Sequence, residues 1–272
     1  MAEPQDTAST LFRAGKLSQA VEAANAAVRR TPGDLGCRVV LAELLLFAAN
    51  LERADVILDA AAHTDPTASI VVAEFRQLLR ADIARRQLTS EGRVPEFLGD
   101  PPPALRAALA ARVALRAGDA EEAARRAAEA EELRPRVPGA LGGKDGETQF
   151  DDLRDADDLC AGFFEILTTT GKYFWIPTER VASIEFHAPR RPRDLAWRRA
   201  TMSVIDGPDG EVYLPAIYEA TQPNLTDELL LGRTTDWSNE DTPPVRGLGQ
   251  RVFLVGEDAL GIMDLTTLRF GT

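Results

Sequence analysis

Residues 15–32 read GKLSQAVEAANAAVRRTP, residues 49–66 read ANLERADVILDAAAHTDP, and residues 118–135 read GDAEEAARRAAEAEELRP. Aligned, they share one register. Gly15, Leu17, Ala20, Ala27 and Pro32 return 34 residues later as Ala49, Leu51, Ala54, Ala61 and Pro66. They return again 103 residues on, three periods plus one, as Gly118, Ala120, Ala123, Ala130 and Pro135. A degenerate unit fills 69–103. Such a period marks a stack of similar supersecondary units.

The spacing predicts two helices and a tight turn per unit. Ala8, Leu11 and Phe12 share a face of a short first helix that Gly15 ends. Leu17, Ala20, Val21, Ala24, Ala27 and Val28 form the apolar stripe of the second. Small side chains at Ala20 and Ala27 let paired helices approach closely. Thr31-Pro32-Gly33 stops the helix, Asp34 caps the next, and Asp119 with Glu122 fits a capping box. Where Ala49 replaces the glycine, Asn50 can supply the left-handed turn residue. In the middle unit a helix is expected over Ile70–Leu88, with Val71, Phe75, Leu78, Leu79 and Ile83 inward. The proline-bearing loop Ser90–Pro103 is expected to pack across the repeat surface through Val94, Phe97 and Leu98.

Beyond Pro135 the texture changes. Pro135–Gly146 holds two prolines and four glycines and reads as a linker. A short helix is expected over Ala156–Thr168, with Leu159, Phe163, Ile166 and Leu167 buried. Strand patterns follow at Lys172–Ile176 and Val181–Phe186. Ala200–Ile205 and Glu211–Ile217 flank the turn Asp206–Gly210, and Arg251–Val255 and Ala259–Met263 flank Gly256-Glu257-Asp258. The fold class is therefore α+β and multidomain. A helical repeat domain (1–137) and a linker (138–150) precede a small antiparallel β-rich, barrel-like domain (151–272).

The 272 residues carry a net charge of −12. Residues 1–137 hold 18 basic against 20 acidic side chains, and 138–272 hold 13 against 23. That balance opposes nucleic acid and anionic membrane as partners. The longest apolar run, Val39–Ala49, is too short to span a bilayer and contains Glu43. Met1–Thr10 has no secretory apolar core, and the two distant cysteines, Cys37 and Cys160, suit a reduced cytoplasmic setting.

The side chains offer several candidate chemistries. Cys160 with His187 would make a nucleophile and base, but Cys160 sits between Leu159 and Ala161 on an apolar face and reads as a buried small side chain. Cys37 reads the same way. His63 and His187 are too few for a histidine metal site. Asp151, Asp152, Asp155, Asp157 and Asp158 lack calcium-loop spacing and read as a solvated helix N-terminus. Gly139, Gly142, Gly143 and Lys144 fail the phosphate-loop pattern. Arg190, Arg191, Arg193, Arg198 and Arg199 form the one basic cluster, suited either to internal pairing or to an acidic partner. No catalytic, metal or cofactor residue is expected, and the chain reads as a binding protein rather than an enzyme.

Period, glycine, paired alanines and proline resemble the tetratricopeptide repeat, without most of its large aromatics. First helices of such units line a concave groove. By register the groove candidates are Phe12, Arg13, Val40, Glu43, Leu46, Phe47, Glu74, Gln77 and Arg80, of which Phe12, Leu46 and Phe47 equally suit a core.

Across nearly its full length the chain also resembles the ImpE/TagJ family of type VI secretion accessory proteins. The resemblance rests on Pro95–Gly99, Asp155-Ala156-Asp157, Gly171–Pro177 with Glu179-Arg180, Asp194–Arg198, Leu231-Gly232-Arg233 with Trp237, and Gly247–Arg251. It implies binding to the N-terminal helix of the small sheath subunit, with the sheath-recycling AAA+ unfoldase as a second associate. The alternatives are a cytoplasmic thiol hydrolase using Cys160 and His187, and a repeat adaptor for an unrelated partner.

Overall fold

A computed structural model describes residues 7–64, 69–143, 146–219, 222–238 and 242–271. Seven helices come first: α1 (Ala8–Arg13), α2 (Leu17–Arg30), α3 (Leu35–Phe47), α4 (Leu51–Thr64), α5 (Ser69–Ser90), α6 (Pro103–Arg116) and α7 (Ala120–Leu133). Their ends follow the repeat register. Gly15 and Gly118 stand at φ +78° and +80°, in the left-handed region that closes a helix. The Asp34 and Asp119 side chains accept from the amides of Cys37 and Glu122, each 2.9 Å away, and cap α3 and α7. The reciprocal arm of the capping box is not made, because Glu122 turns to Arg125 and Arg126.

Two repeat expectations need correction. Ala49 itself, not Asn50, takes the left-handed conformation, at φ +57°. Asn50 is needed one step on, where its Oδ1 accepts from the Arg53 amide at the start of α4. Ala27 is only half-buried, although Ala61 and Ala130 at the same register are buried. The cause is length: α1 spans six residues against fourteen for α2 and cannot cover its far end. Pro66 and the Val71 side chain lie outside the described residues; on α5, Val72, Phe75, Leu78 and Leu79 are buried and Ile83 is half-buried.

The second half is β-rich. Its strands are β1 (Gly139–Gly143), β2 (Gly146–Phe150), β3 (Leu153–Asp155), β4 (Phe163–Leu167), β5 (Tyr173–Pro177), β6 (Val181–Phe186), β7 (Trp197–Val204), β8 (Asp209–Pro215), β9 (Thr235–Ser238), β10 (Arg246–Gly249), β11 (Val252–Val255), β12 (Asp258–Gly261) and β13 (Thr267–Phe270). A four-residue helix, α8 (Asp227–Leu230), precedes β9. Eight strands form an antiparallel sheet in the order β2-β1-β13-β6-β7-β8-β4-β5. The sheet is open, not a barrel; its end strands are β2 and β5.

Three readings change here. Residues 139–143 and 146–150, expected within a linker, are the hairpin β1–β2 of the main sheet. Glycine suits β1 because a Cβ at Gly139 would lie 2.3 Å from the Arg269 carbonyl on β13. The Ala156–Thr168 segment is a turn followed by β4, not a helix. All five β4 residues are buried, so the segment shows no alternation of polar and apolar positions. Finally, the Ser90–Pro103 loop seals a sheet edge. The Glu96 amide donates to the Tyr173 carbonyl (2.9 Å) and the Trp175 amide donates to the Glu96 carbonyl (3.1 Å). Phe97 packs edge-on against Trp175, while Val94 stays exposed.

Alternation along the strands sends each sheet face to a different core. Phe163, Leu167, Tyr173, Trp175, Trp197 and Tyr213 join Leu46, Phe47, Phe75 and Leu78 of the helices in one cluster. Phe164, Ile166, Ile176 and Leu214 point the other way, toward Phe253, Ile262 and Leu265. Phe75 of α5 meets Trp197 of β7 edge-on at 5.8 Å between ring centroids. The helical stack and the sheet therefore share a core and do not hang on a tether.

Candidate partner-binding groove

The expected groove residues fall into two sets. Leu46 and Phe47 are buried at 3% exposure, in the core shared with the sheet. Glu43 is buried and held by Arg193 Nη1 at 2.9 Å. Burial raises its carboxyl pKa, against the pull of the Arg193 guanidinium. Glu74 accepts from the Tyr213 hydroxyl at 3.1 Å, and Gln77 and Arg80 lie against Gly171 in the turn before β5. Much of the concave surface expected for a guest is thus occupied by the chain's own second half. The reason is physical: an inward helix face offers the same apolar surface to an internal strand as to a foreign helix, and sequence register cannot tell them apart.

Phe12, Arg13 and Val40 remain open. With Glu43 they line a groove of about 370 Å³ between α1, α3 and the segment Pro189–Leu195, whose residues 192–195 form a 3-10 turn. Phe12, Val40 and Leu195 are half-buried and form its apolar floor, and Phe12 is braced by Phe47 at 5.3 Å. Arg13, Arg190 and Arg191 stand on its rim. Asp194 accepts from the amides of Arg190 (2.9 Å) and Arg191 (3.1 Å), which fixes the rim backbone.

The basic cluster therefore divides. Arg193 is buried over the Phe75 ring, Arg198 is buried beside Met263, and Arg199 pairs with Glu211 at 3.1 Å. Arg190 is exposed and Arg191 half-exposed, 3.9 Å from Glu74 and 3.6 Å from Asp194.

A buried ionic seam locks the halves. Glu165 of β4 accepts from Arg85 Nε (3.0 Å) and Nη2 (3.2 Å) on α5, from Arg251, and from the Tyr173 hydroxyl. The Tyr173 oxygen accepts from Trp175 Nε1 at 2.6 Å. Arg251 also donates to Asp155 at 2.7 Å, which takes the Tyr218 hydroxyl at 2.7 Å. Burial would raise the Glu165 pKa, yet the Arg85, Arg251 and Arg112 guanidinia hold it well below the usual carboxylate range. Asp155 goes the other way: burial carries it up to about 6 despite Arg251. The register reading missed these residues, although charges inside apolar runs, as in Phe164-Glu165-Ile166, were a visible sign.

The acidic cluster is not a helix N-terminus. Asp152 pairs with Arg134 at 2.6 Å, Asp155 with Arg251, and Asp158 with Arg154 at 2.8 Å. Asp157 accepts from the Leu159 (2.8 Å) and Gly247 (3.0 Å) amides. These carboxylates bind the β3 region to its neighbours, with each of the four already engaged. Cys160 is 1% exposed, and its Sγ accepts from Arg112 Nη2 at 2.9 Å. Burial pushes its thiol pKa up, outweighing Arg112. His187 bonds to Thr201 at 3.0 Å, and among the described residues no hydrogen bond joins it to Cys160. The His63 side chain and Lys144 lie outside the described residues.

Fold and groove together define a tetratricopeptide-type repeat protein whose helical stack is clasped by its own antiparallel sheet. The tetratricopeptide repeat model matches residues 11–79, and the model of the ImpE protein family matches 147–269. The type VI secretion system accessory component TagJ of Pseudomonas aeruginosa is 30% identical over 97% of this chain and 90% of its own. A crystal structure of a Vibrio parahaemolyticus protein superposes with a TM-score of 0.89 at 28% identity, covering 97% of both chains. The chain belongs to the ImpE/TagJ family.

Proposed function

We propose that this protein is a non-catalytic accessory component of a type VI secretion system, and that it seats the N-terminal helix of the small sheath subunit in the groove between α1 and α3. The observation that carries the reading is the groove itself. It is a half-open apolar floor of Phe12, Val40 and Leu195 on a helical-repeat surface, next to the buried Leu46 and Phe47. A floor of this shape accepts the apolar face of one amphipathic helix. The similarity to TagJ supplies the secretion-system setting. In that setting the protein acts in the cytoplasm, near sheath assembly and unfoldase-driven recycling. No helix among the described residues is long and apolar enough to cross a membrane.

The mechanism is recognition without bond chemistry. Three guest anchors buried on the floor contribute roughly 1.5–3 kcal/mol each in gross terms. Association and ordering costs offset much of that gain, so the affinity of such a site is modest. The hydrolase reading is disfavoured by the sealed Cys160, which is shielded from solvent and held by Arg112.

Calorimetry with a peptide of the cognate sheath subunit's N-terminal helix tests the proposal. The expected result is micromolar binding that Val40→Glu weakens at least tenfold while circular dichroism stays unchanged. Binding indifferent to Val40→Glu moves the site elsewhere, and absence of binding removes the proposed partner.

A further inference from the structure

The rim of this groove is positive on a chain that is strongly negative. Among the described residues lining the groove, Arg13, Arg190 and Arg191 are cationic and Glu43 is the one carboxylate. Glu43 is buried and neutralised by Arg193, so it presents no free negative charge to a guest. The Arg13 side chain bonds to the Ser9 carbonyl of its own helix, and Arg190 has no carboxylate partner among the described residues. Arg191 is 3.6 Å from Asp194 and 3.9 Å from Glu74, both too long for a charge-assisted hydrogen bond, and it is more than a third exposed. Two of these arginines follow Pro189 and precede Pro192, with their amides tied to Asp194. The backbone that carries the charges is therefore preorganised.

The net charge of −12 acts the other way only at long range. At physiological salt the screening length is about 8 Å, so a guest in the groove feels the rim and not the distant carboxylates. The rim's charge is not consumed by internal pairing: Arg13 and Arg190 have no carboxylate partner among the described residues, and Arg191 makes only long contacts to Glu74 and Asp194. It favours a guest that brings carboxylates.

Resting on the groove reading above, we propose that the guest is an acidic amphipathic helix. Its apolar stripe faces Phe12, Val40 and Leu195, and Asp or Glu on both flanks of that stripe meet Arg13 on one side and Arg190 and Arg191 on the other. The arginines then discriminate against helices of equal hydrophobicity but opposite flanking charge.

The test uses three designed helical peptides with the same leucine stripe, flanked by glutamate, glutamine or lysine, and the full chain. Fluorescence anisotropy at low salt is expected to rank glutamate over glutamine over lysine, with about fivefold per step from exposed pairs. Raising sodium chloride from 50 to 500 mM is expected to collapse the ranking, and Arg190→Glu with Arg191→Glu is expected to invert it. Equal binding of all three peptides, with Val40→Glu abolishing each, would keep the groove and overturn its acidic preference. If no designed peptide binds, or if sedimentation shows that a second copy of the chain takes the groove, the proposal is overturned. A sheath peptide that fails to bind while the glutamate peptide does would refute the named partner and leave this inference standing.

Discussion

Replacing Glu165 by glutamine tests how the two halves are held. The carboxylate receives two bonds from Arg85, one from Arg251 and one from Tyr173, and it is 3% exposed. Glutamine keeps the shape but removes the charge, and its amide nitrogen presents hydrogens where a guanidinium also presents hydrogens. Arg85 retains Asp82 at 3.5 Å and Arg251 retains Asp155, so part of the compensation survives. Breaking a buried pair from one side costs about 3–5 kcal/mol. That is a large share of the roughly 5–15 kcal/mol that holds an ordinary domain. Equilibrium urea unfolding, followed by tryptophan fluorescence and by circular dichroism, measures it directly. Trp175 and Trp197 report on the sheet side of the shared core, and far-ultraviolet dichroism is dominated by the helices. The expected outcome is a midpoint lowered in both signals together. A loss below about 1 kcal/mol would refute the claim that this charge cluster is desolvated and mutually compensated. A sheet signal that moves without the helix signal would refute the shared core. Removing Arg85 as well, by Arg85→Met, should cost less than the sum of the two single changes.

Other expectations follow from single features. Ala49→Gly should stabilise the chain by about 1 kcal/mol, since a glycine carries no Cβ penalty at φ +57°; thermal unfolding reads it, and a destabilised variant would contradict the turn geometry. Cys160 should resist a thiol reagent in the folded protein and react only on unfolding, whereas Cys37→Ser should leave that slow phase unchanged; rapid modification of Cys160 under native conditions would contradict its burial. With pH, Asp155 has a folded pKa of about 6, above its ordinary 3.8. Between those values the native state keeps a proton that the unfolded chain has lost. Its contribution to stability therefore falls as pH rises through this window, by about 1 kcal/mol from pH 5 to 7.5. Asp152 and Glu165 are depressed, so their contributions are present above the ordinary carboxylate range and lost as pH falls through their folded values. Urea midpoints at pH 3, 5 and 7.5 should therefore peak near the middle, and a monotonic rise to 7.5 would contradict the Asp155 assignment.

The helical half was legible because its repeat puts a turn residue, two small residues and a stop at fixed spacing. The register that located Gly15, Ala20 and Ala54 also located α7 across the degenerate middle. It did not identify Ala49 as the turn residue, because asparagine is the usual substitute and its use as a cap at Asn50 competes. The hairpins β7–β8 and β11–β12 were legible from their turns. Strand β4 was not, since a segment buried on both faces carries no period. Strands β1 and β2 were hidden by glycines whose purpose, close approach to β13, depends on residues more than a hundred positions away. Of the groove residues, Phe12, Arg13 and Val40 line open surface. Register could not foresee that the sheet would cover Leu46 and Phe47, that Gly171 would lie against Gln77 and Arg80, or that Pro189–Leu195 would supply the opposite wall.

Stacked helical hairpins generally flex along their length, so the width of their concave side varies from moment to moment. Here the sheet side of the shared core, with Trp197 against Phe75 and Glu165 against Arg85, fixes that curvature from inside. The surface acts as a template of set width, not as a spring. A guest then finds its cleft already shaped, and discrimination falls on the fit and chemistry of the guest instead of on the cost of bending the host.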